Sequence, residues 1–203
     1  MLRILRDVVL ACAIFLLLVF LWTTIAQAGT IVGNVKARGV KSPKNVVVYM
    51  DHHHTGPVST EGKTATLDQV SMVFVPRILP VTVGTTVNIL NSDDVPHTAF
   101  TPSEVGDKFD SGIMVKGGSR SYTFNKPGVI PVLCALHSEM EAYIVVLKNP
   151  LYAVSDEKGN FEFTNVSAGP HRLSTWHKKL KTKTTDVEVP DQGTVEVTFK
   201  LRR

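Results

Sequence analysis

Short stretches of alternating apolar and polar residues constrain the fold of this 203-residue chain more than any other feature. Turn-forming residues separate them, for example Gly84 and the segments 116–118 and 126–128. Alternation with a period of two is typical of half-buried β-strands, and no stretch keeps helical periodicity over three turns. The pattern predicts an all-β protein made of sandwich or barrel units. The strands predicted in the longer part of the chain are 30–37, 45–49, 79–83, 86–90, 119–124, 129–133 and 142–147.

A break at Asn149-Pro150 divides the predicted strands into two groups. Residues 29–148 form the first predicted domain. Residues 149–203 form a second, smaller antiparallel unit with strands at 151–155, 161–164, 172–176, 185–189 and 194–201. A unit of this size buries little apolar surface, so we expect it to depend on the first domain for stability.

The first 28 residues have the pattern of a secretory signal peptide. Arg3 and Arg6 precede an apolar run at 8–22, and Ala26-Gln27-Ala28 provides a small-residue cleavage site after Ala28. The alternative is an uncleaved anchor, because residues 8–25 are long enough to span a bilayer. Either reading predicts export, to the periplasm or the cell exterior.

Composition and charge exclude several classes of function. The chain has 22 Lys and Arg against 18 Asp and Glu, and they are not gathered into a basic arm, so we expect no nucleic-acid partner. Two cysteines are too few for a disulfide framework or a four-cysteine zinc or iron–sulfur site. No glycine-rich phosphate loop is present, and no second constellation suggests catalysis, so we do not expect an enzyme.

One loop and one distant histidine contain the metal-binding chemistry. Cleavage after Ala28 leaves Cys134 as the single cysteine, and Cys134, His137 and Met140 recur at every third residue between two predicted strands. Thiolate, imidazole and thioether are soft ligands that suit copper better than zinc. A second imidazole completes the trigonal two-His, one-Cys set with a weak axial Met that defines a blue-copper centre. The best candidate is His97, which follows a predicted strand. The predicted metal ligands are therefore His97, Cys134, His137 and Met140, for one type 1 copper ion.

The first domain resembles a cupredoxin of the plastocyanin and amicyanin type. The resemblance rests on the Cys-x-x-His-x-x-Met spacing, the stretch 91–97, the turn 124–128 and the strand leading into Cys134. It implies a Greek-key β-sandwich that transfers single electrons between redox partner proteins. It further implies that His137 passes the electron, at an apolar surface formed by Val95, Pro96 and Leu136.

Two departures from the cupredoxin pattern have expected consequences. Thr98 stands where an Asn usually follows the first histidine, so we expect weaker hydrogen bonding of that loop. Leu133 replaces the usual aromatic residue before the cysteine, so we expect different surroundings for the sulfur. Residues 149–203 resemble a carboxypeptidase-regulatory-like β-domain, through the segments 155–161, 165–170 and 175–177.

Other readings remain open at this point. A periplasmic copper carrier or storage protein would hold Cu(I), and a non-metal interaction module built from two β-domains would leave Cys134 simply buried. His52–His54 either bind a second metal ion or form a solvated loop. The lysine run at 178–183 is either a solvated face or an electrostatic docking site for an acidic partner. We expect a monomer, with no membrane contact except through an uncleaved N-terminal anchor.

Overall fold

The computed structural model describes residues 28–51, 62–102, 104 and 106–203, and in this part of the chain it is all-β. The predicted signal peptide, apart from Ala28, and His52–His54 lie outside the described residues. Nowhere in the described ranges is there a helix with the length and hydrophobicity needed to cross a membrane. The strands are β1 (Ala28–Arg38), β2 (Val47–Met50), β3 (Thr64–Val70), β4 (Val73–Val75), β5 (Ile78–Thr82), β6 (Thr85–Asn91), β7 (Ser119–Phe124), β8 (Gly128–Leu133), β9 (Glu141–Leu147), β10 (Tyr152–Val154), β11 (Asn160–Ser167), β12 (Gly169–Trp176), β13 (Thr184–Val189) and β14 (Thr194–Arg202).

The first unit is a sandwich of two sheets. One sheet has the order β4-β3-β6-β7 and the other the order β5-β9-β8. The alternation along β6 directs every second side chain inward, so that Val87 and Ile89 are fully buried. They pack with Phe124, Ile130 and Ile144 in a core that also contains Cys134 and Met140. The predicted metal-binding loop therefore lies against this core.

The second unit is a smaller sandwich with its own core. Its sheets have the orders β11-β1-β14 and β10-β2-β12-β13. Ile31 and Val35 from β1 pack with Phe163, Leu173 and Phe199 from the later strands. Strands from both ends of the described chain thus build one hydrophobic core.

The observed strand pairing differs from the predicted division of the chain at residue 148. We assigned residues 29–51 to the first domain, but β1 pairs in parallel with β14 from Thr30 to Arg38 and antiparallel with β11. β2 pairs with β10 and β12. Strands this far apart in the chain pair because their apolar faces are buried in the same core. The local alternation of apolar and polar residues shows that a face is buried, but it does not show in which core.

Two strands, β3 and β4, were not predicted from the sequence. The inward positions of β3 are Ala65, Leu67 and Gln69, so only one of the three is strongly hydrophobic. Gln69 is fully buried, and its amide donates a hydrogen bond to the Leu90 carbonyl oxygen at 3.0 Å. A buried polar residue at an inward position removes the alternation that marks a strand.

The two units contact each other through an apolar cluster and a polar bridge. Val47 from the second unit packs with Val145 from the first, in a cluster that includes the Tyr143 and Trp176 rings, whose centroids are 5.4 Å apart. The Lys178 ammonium group forms an ion pair with Glu141, beside this cluster. The second unit is therefore packed against strand β9, which begins directly after Met140.

The place of β1 in the second core gives a stability prediction. Ile31→Ala removes a fully buried side chain and should lower the free energy of unfolding by about 3 kcal/mol. Urea unfolding followed by circular dichroism measures the loss. Ile113→Ala is the matched control, because Ile113 is 66% exposed and its truncation should change stability by less than about 0.5 kcal/mol. Equal effects of the two substitutions would contradict the observed position of β1.

Candidate metal site

A buried asparagine fixes the loop that follows β6. The Asn91 side-chain amide donates hydrogen bonds to the Val95 carbonyl oxygen at 3.0 Å and to the Met114 carbonyl oxygen at 2.7 Å. Its own side-chain oxygen accepts a hydrogen bond from the Asp93 backbone N–H at 2.9 Å. His97 and Met114 then exchange two backbone hydrogen bonds of 3.0 and 2.8 Å. The His97 backbone is thus held on both sides before its side chain reaches the site.

A tight loop between β8 and β9 supplies the other predicted ligands. The Met140 backbone N–H donates to the His137 carbonyl oxygen at 3.0 Å, and the Cys134 N–H approaches the Met140 carbonyl oxygen at 3.4 Å. β9 then begins at Glu141. Because the loop closes on itself, residues spaced by three along the sequence lie on one side of it.

The structure brings His97, Cys134 and His137 together, as predicted. The two Nδ1 atoms are 3.0 Å apart. The Cys134 Sγ atom lies 3.9 Å from Nδ1 of His97 and 3.7 Å from Nδ1 of His137. His97 and Cys134 are buried, whereas His137 is partly exposed. Among the described residues, these three form the one group of His, Cys, Asp or Glu side chains close enough to share a metal ion.

These separations fit a single ion. Nitrogen and sulfur ligands at about 2.0–2.3 Å from a metal, arranged trigonally, lie about 3.5–3.9 Å from one another. The two sulfur–nitrogen separations, 3.7 and 3.9 Å, match this triangle. The nitrogen–nitrogen separation of 3.0 Å is shorter than its side by about 0.5 Å, so a small outward shift of one imidazole would let the three donor atoms share one soft metal ion.

Met140 lies in the same core cluster as Cys134 and is 1% exposed. Its thioether has no hydrogen-bonding requirement, so burial costs it nothing and leaves the sulfur available as a weak ligand. Its role as the fourth, axial ligand stays a prediction.

A carboxylate fixes the protonation of His97. The His97 Nε2 atom lies 2.9 Å from Asp93 Oδ2. Because an ionised carboxylate only accepts hydrogen bonds, Nε2 carries a proton, and in the neutral ring the lone pair then lies on Nδ1. That is the atom that faces Cys134 and His137. A carboxylate in this position also fixes the orientation of the imidazole ring.

Asp93 is itself held by a strained turn between β3 and β4. Ser71 and Met72 adopt φ angles of 54° and 60°, which are unusual for residues other than glycine. Their backbone N–H groups donate to the two Asp93 carboxylate oxygens at 2.5 and 2.8 Å. The hydrogen bond from Met72, with smaller contributions from His97 and Ser71, holds the pKa of Asp93 below its ordinary value against a partial desolvation that raises it. The carboxylate therefore stays ionised beside the histidine.

The surroundings of Cys134 favour its thiolate form. Burial raises the pKa of the thiol, but hydrogen bonds lower it. The strongest comes from the Thr98 backbone N–H, at 3.4 Å from Sγ; the His97 and His137 rings add to it when their Nδ1 atoms carry protons, and the Leu136 backbone N–H adds the rest. The net pKa is about 6, compared with an ordinary value of 9.0. A thiolate is the form of cysteine that binds metals.

Thr98 does not weaken the loop, contrary to our expectation from the sequence. Its hydroxyl oxygen accepts a hydrogen bond from the Ala135 backbone N–H at 2.7 Å and lies 3.8 Å from Cys134 Sγ. Thr98 therefore connects the two ligand loops. Leu133 is half-buried and pairs with Phe100 through two backbone hydrogen bonds of 2.9 and 3.0 Å.

Sequence reasoning identified the candidate ligands but missed the residues that hold them. Asn91, Asp93 and Met114 were not assigned roles toward the ligands. The one available signal was the position of Asp93, four residues before His97 in the sequence. His171 and His177 have other hydrogen-bond partners, namely the Ser167 carbonyl oxygen and the Lys179 backbone N–H.

Comparisons with known proteins are limited to structural likeness. No protein-family model and no curated relative matches the chain. A purple cupredoxin from Nitrosopumilus maritimus is 24% identical and aligns over 41% of this chain and 99% of its own, with a TM-score of 0.37. A reduced amicyanin variant is 24% identical over 49% of this chain and 98% of its own, with a TM-score of 0.39. A Cu-containing nitrite reductase from Thermus scotoductus is 25% identical over 58% of this chain and 28% of its own, with a TM-score of 0.40. Because these scores are low, the assignment of the site rests on its donor atoms.

The lowered pKa of Cys134 is measurable in the metal-free protein. The ultraviolet absorbance of the thiolate should appear with a midpoint at a pH of about 6. The folded pKa is lower than the unfolded one, so the thiolate contributes stability that is fully present above the unfolded pKa. This contribution is lost as the pH falls through about 6. Cys134→Ser is the control, because it removes this signal and leaves Cys12 in place. A midpoint near 9.0 would show that the surrounding hydrogen bonds do not stabilise the thiolate.

The contact between Asp93 and His97 gives a second prediction. Asp93→Ala leaves the buried His97 Nε2–H without an acceptor and should weaken Cu(I) affinity by about 10–100-fold, measured by competition with a chelator. Asp94→Ala is the matched control, because Asp94 is exposed and pairs with Lys116 instead. Asp93→Asn should have a smaller effect, since its side-chain oxygen still accepts a hydrogen bond. Equal affinities for the Asp93→Ala and Asp94→Ala proteins would refute a role for Asp93 in holding the ligand.

Proposed function

We propose that this chain is an exported type 1 copper protein of the cupredoxin kind, which carries single electrons between redox partner proteins. The observation that supports this most directly is the convergence of two imidazole Nδ1 atoms and one sulfur within 3.9 Å, with two of the three residues buried. Met140 in the same core cluster is the proposed axial ligand.

Copper suits this donor set better than zinc does. Structural zinc sites are four-coordinate and use cysteine, histidine or carboxylate ligands. In the described part of the chain, no fourth side chain of those types joins the group. The nearest carboxylate, Asp93, faces the opposite nitrogen of His97. A thioether is the remaining candidate, and thioether sulfur favours copper.

Bound copper would supply a centre that alternates between the cupric and cuprous states, gaining or losing one electron. The residues of this chain hold the donor atoms in one arrangement for both states. The Thr98–Ala135 hydrogen bond joins the two ligand loops, and Asn91 and Met114 fix the backbone around His97. Donor atoms that do not move on a change of charge keep the reorganisation small, which favours rapid electron transfer.

The two histidines have different roles in this proposal. His97 is fully buried and anchored by Asp93, whereas His137 is partly exposed. The neighbouring Leu136, Val95 and Pro96 are also exposed, and so are Ile113 and Val115. Exposed apolar side chains near a partly exposed ligand form a surface on which a partner protein can dock and reach the metal over a short distance. We therefore assign electron entry and exit to the His137 edge.

The second unit and the location of the protein complete the proposal. Seven strands in a three-stranded and a four-stranded sheet support a carboxypeptidase-regulatory-like domain that includes β1 and β2 from the start of the described chain. The N-terminal signal pattern supports a periplasmic or extracellular location. We propose a monomer that acts by electron transfer and does not catalyse a reaction of its own.

The visible spectrum of the copper-loaded protein tests the proposed function. Cu(II) bound to the Cys134 thiolate should give an intense visible absorption band that disappears on reduction with ascorbate. Cys134→Ser should abolish the band, and His137→Ala should abolish or strongly shift it. His171→Ala is the matched control, because His171 is half-buried in the second unit, outside the site, so the band of this variant should be unchanged. Tight binding of Cu(I) with no Cu(II) band would contradict electron transfer and favour a copper carrier. If the wild-type protein bound no copper at all, the proposal would be wrong, and the alternative of a non-metal interaction module would be favoured.

A further inference from the structure

Six cations lie together on the second unit without a carboxylate among them. They line a groove of about 800 Å³ at the ends of β1 and β14 and in the segment that joins β12 to β13. We call this surface the cationic face; its members are Lys36, Arg38, Lys181, Lys183, Lys200 and Arg202. None of the six forms an ion pair with a carboxylate of the described residues.

The strand register places four of these charges in opposing pairs. In the parallel pairing of β1 with β14, Lys36 lies opposite Lys200 and Arg38 lies opposite Arg202. Alternation along each strand sends the intervening Leu201 into the core and leaves all four cations exposed on one side. Like charges directly opposite each other on a sheet oppose folding. A bound anionic ligand would neutralise these four charges and so offset their repulsion.

The segment carrying the other two cations is fixed beside these strands. The Lys181 backbone N–H donates to the Arg202 carbonyl oxygen at 2.9 Å. The Lys183 carbonyl oxygen accepts a hydrogen bond from the Thr175 N–H at 3.0 Å, and Leu180 is buried in the second core. The cationic face is thus part of the folded sheet and its adjoining loop.

We propose that the cationic face binds an extended, acidic segment of a partner protein. Cross-strand neighbours lie about 4.8 Å apart, and residues two apart on one strand lie about 6.6 Å apart. An extended peptide presents every second side chain at the same spacing of about 6.6 Å. Alternating carboxylates laid along β1 and β14 would therefore meet Lys36 with Lys200, and then Arg38 with Arg202, in step. The two guanidinium groups can each bind a carboxylate through two hydrogen bonds.

The composition of the face argues against two other anionic partners. Its lining contains no aromatic side chain on which nucleic-acid bases could stack. It also contains none of the large exposed apolar side chains of the described residues, which lie elsewhere. Binding to a lipid surface combines basic residues with apolar side chains that enter the bilayer. An acidic polypeptide needs neither.

The test measures binding of labelled acidic peptides by fluorescence anisotropy, using the intact protein at low salt. The probe is an extended peptide of alternating glutamate and threonine, and a second peptide has the same composition with its glutamates in one block. The alternating peptide should bind more tightly, and salt should weaken its binding. The fourfold variant K36Q/R38Q/K200Q/R202Q should bind it roughly tenfold more weakly or worse.

A matched variant separates the cationic face from net charge. K108Q/R120Q/K126Q/K148Q removes four exposed cations that lie outside the cationic face, in residues 108–148. It should change the affinity for the alternating peptide by less than roughly threefold. Because the face variant removes like-charge pairs, its stability in urea should equal or exceed that of the wild-type protein. The proposal does not depend on copper, since the face belongs to the second unit.

Three results would overturn the proposal. One is an equal loss of peptide binding in both fourfold variants, which would reduce the effect to net charge. Another is equal affinity for the alternating and block peptides, which would remove the match to the strand spacing. The third is binding to phosphatidylglycerol vesicles, or to a single-stranded oligonucleotide of equal charge, that is more than roughly tenfold tighter than binding to the peptide.

Discussion

Two imidazole nitrogens and one sulfur that face one another at a buried point are the constraint on which the first unit depends. Buried polar atoms need a hydrogen-bond partner or a metal ion, and here the candidate partners are the donor atoms themselves. Such a group stays together because the chain around it is fixed. The Thr98–Ala135 hydrogen bond joins the loops, and the Asn91 side chain holds the backbone before His97. The donor atoms are therefore held together by contacts of the fold itself.

The same site has a closed side and an open side. Asp93 accepts a hydrogen bond from His97 Nε2–H and is itself held by the backbone N–H groups of Ser71 and Met72. The neutral form of the buried histidine therefore has its lone pair on Nδ1. His137 lies at the partly exposed edge, beside exposed Leu136. In the proposed function, an anchored ligand on one side and an accessible ligand on the other would give electron transfer a direction and restrict the contact with a partner to one surface.

The second unit is joined to the first at a position close to this site. Glu141 follows Met140 directly and contacts Arg77, Tyr143 and Lys178. Partial burial raises the pKa of Glu141, but the hydrogen bonds from these groups, of which that from Lys178 is the strongest, together hold it below its ordinary value. The carboxylate is therefore an ionised bridge between the units. A change in the packing of the second unit would reach the chain next to the predicted axial ligand through this bridge.

Local sequence was enough to identify the all-β class, most strands and the four candidate ligands. Alternation reports directly which side of a strand is buried, and Cys134, His137 and Met140 share one short loop whose closure follows from the flanking strands.

The tertiary structure decided what local sequence could not. It placed β1 beside β14, because the faces of Ile31 and Phe199 fit one core. It included β3 despite the buried Gln69, and it set Asp93 against the far nitrogen of His97. It also aligned Lys36 with Lys200. Each of these depends on residues far apart in the chain, or on the orientation of a side chain, and both are fixed only when the sheets pack.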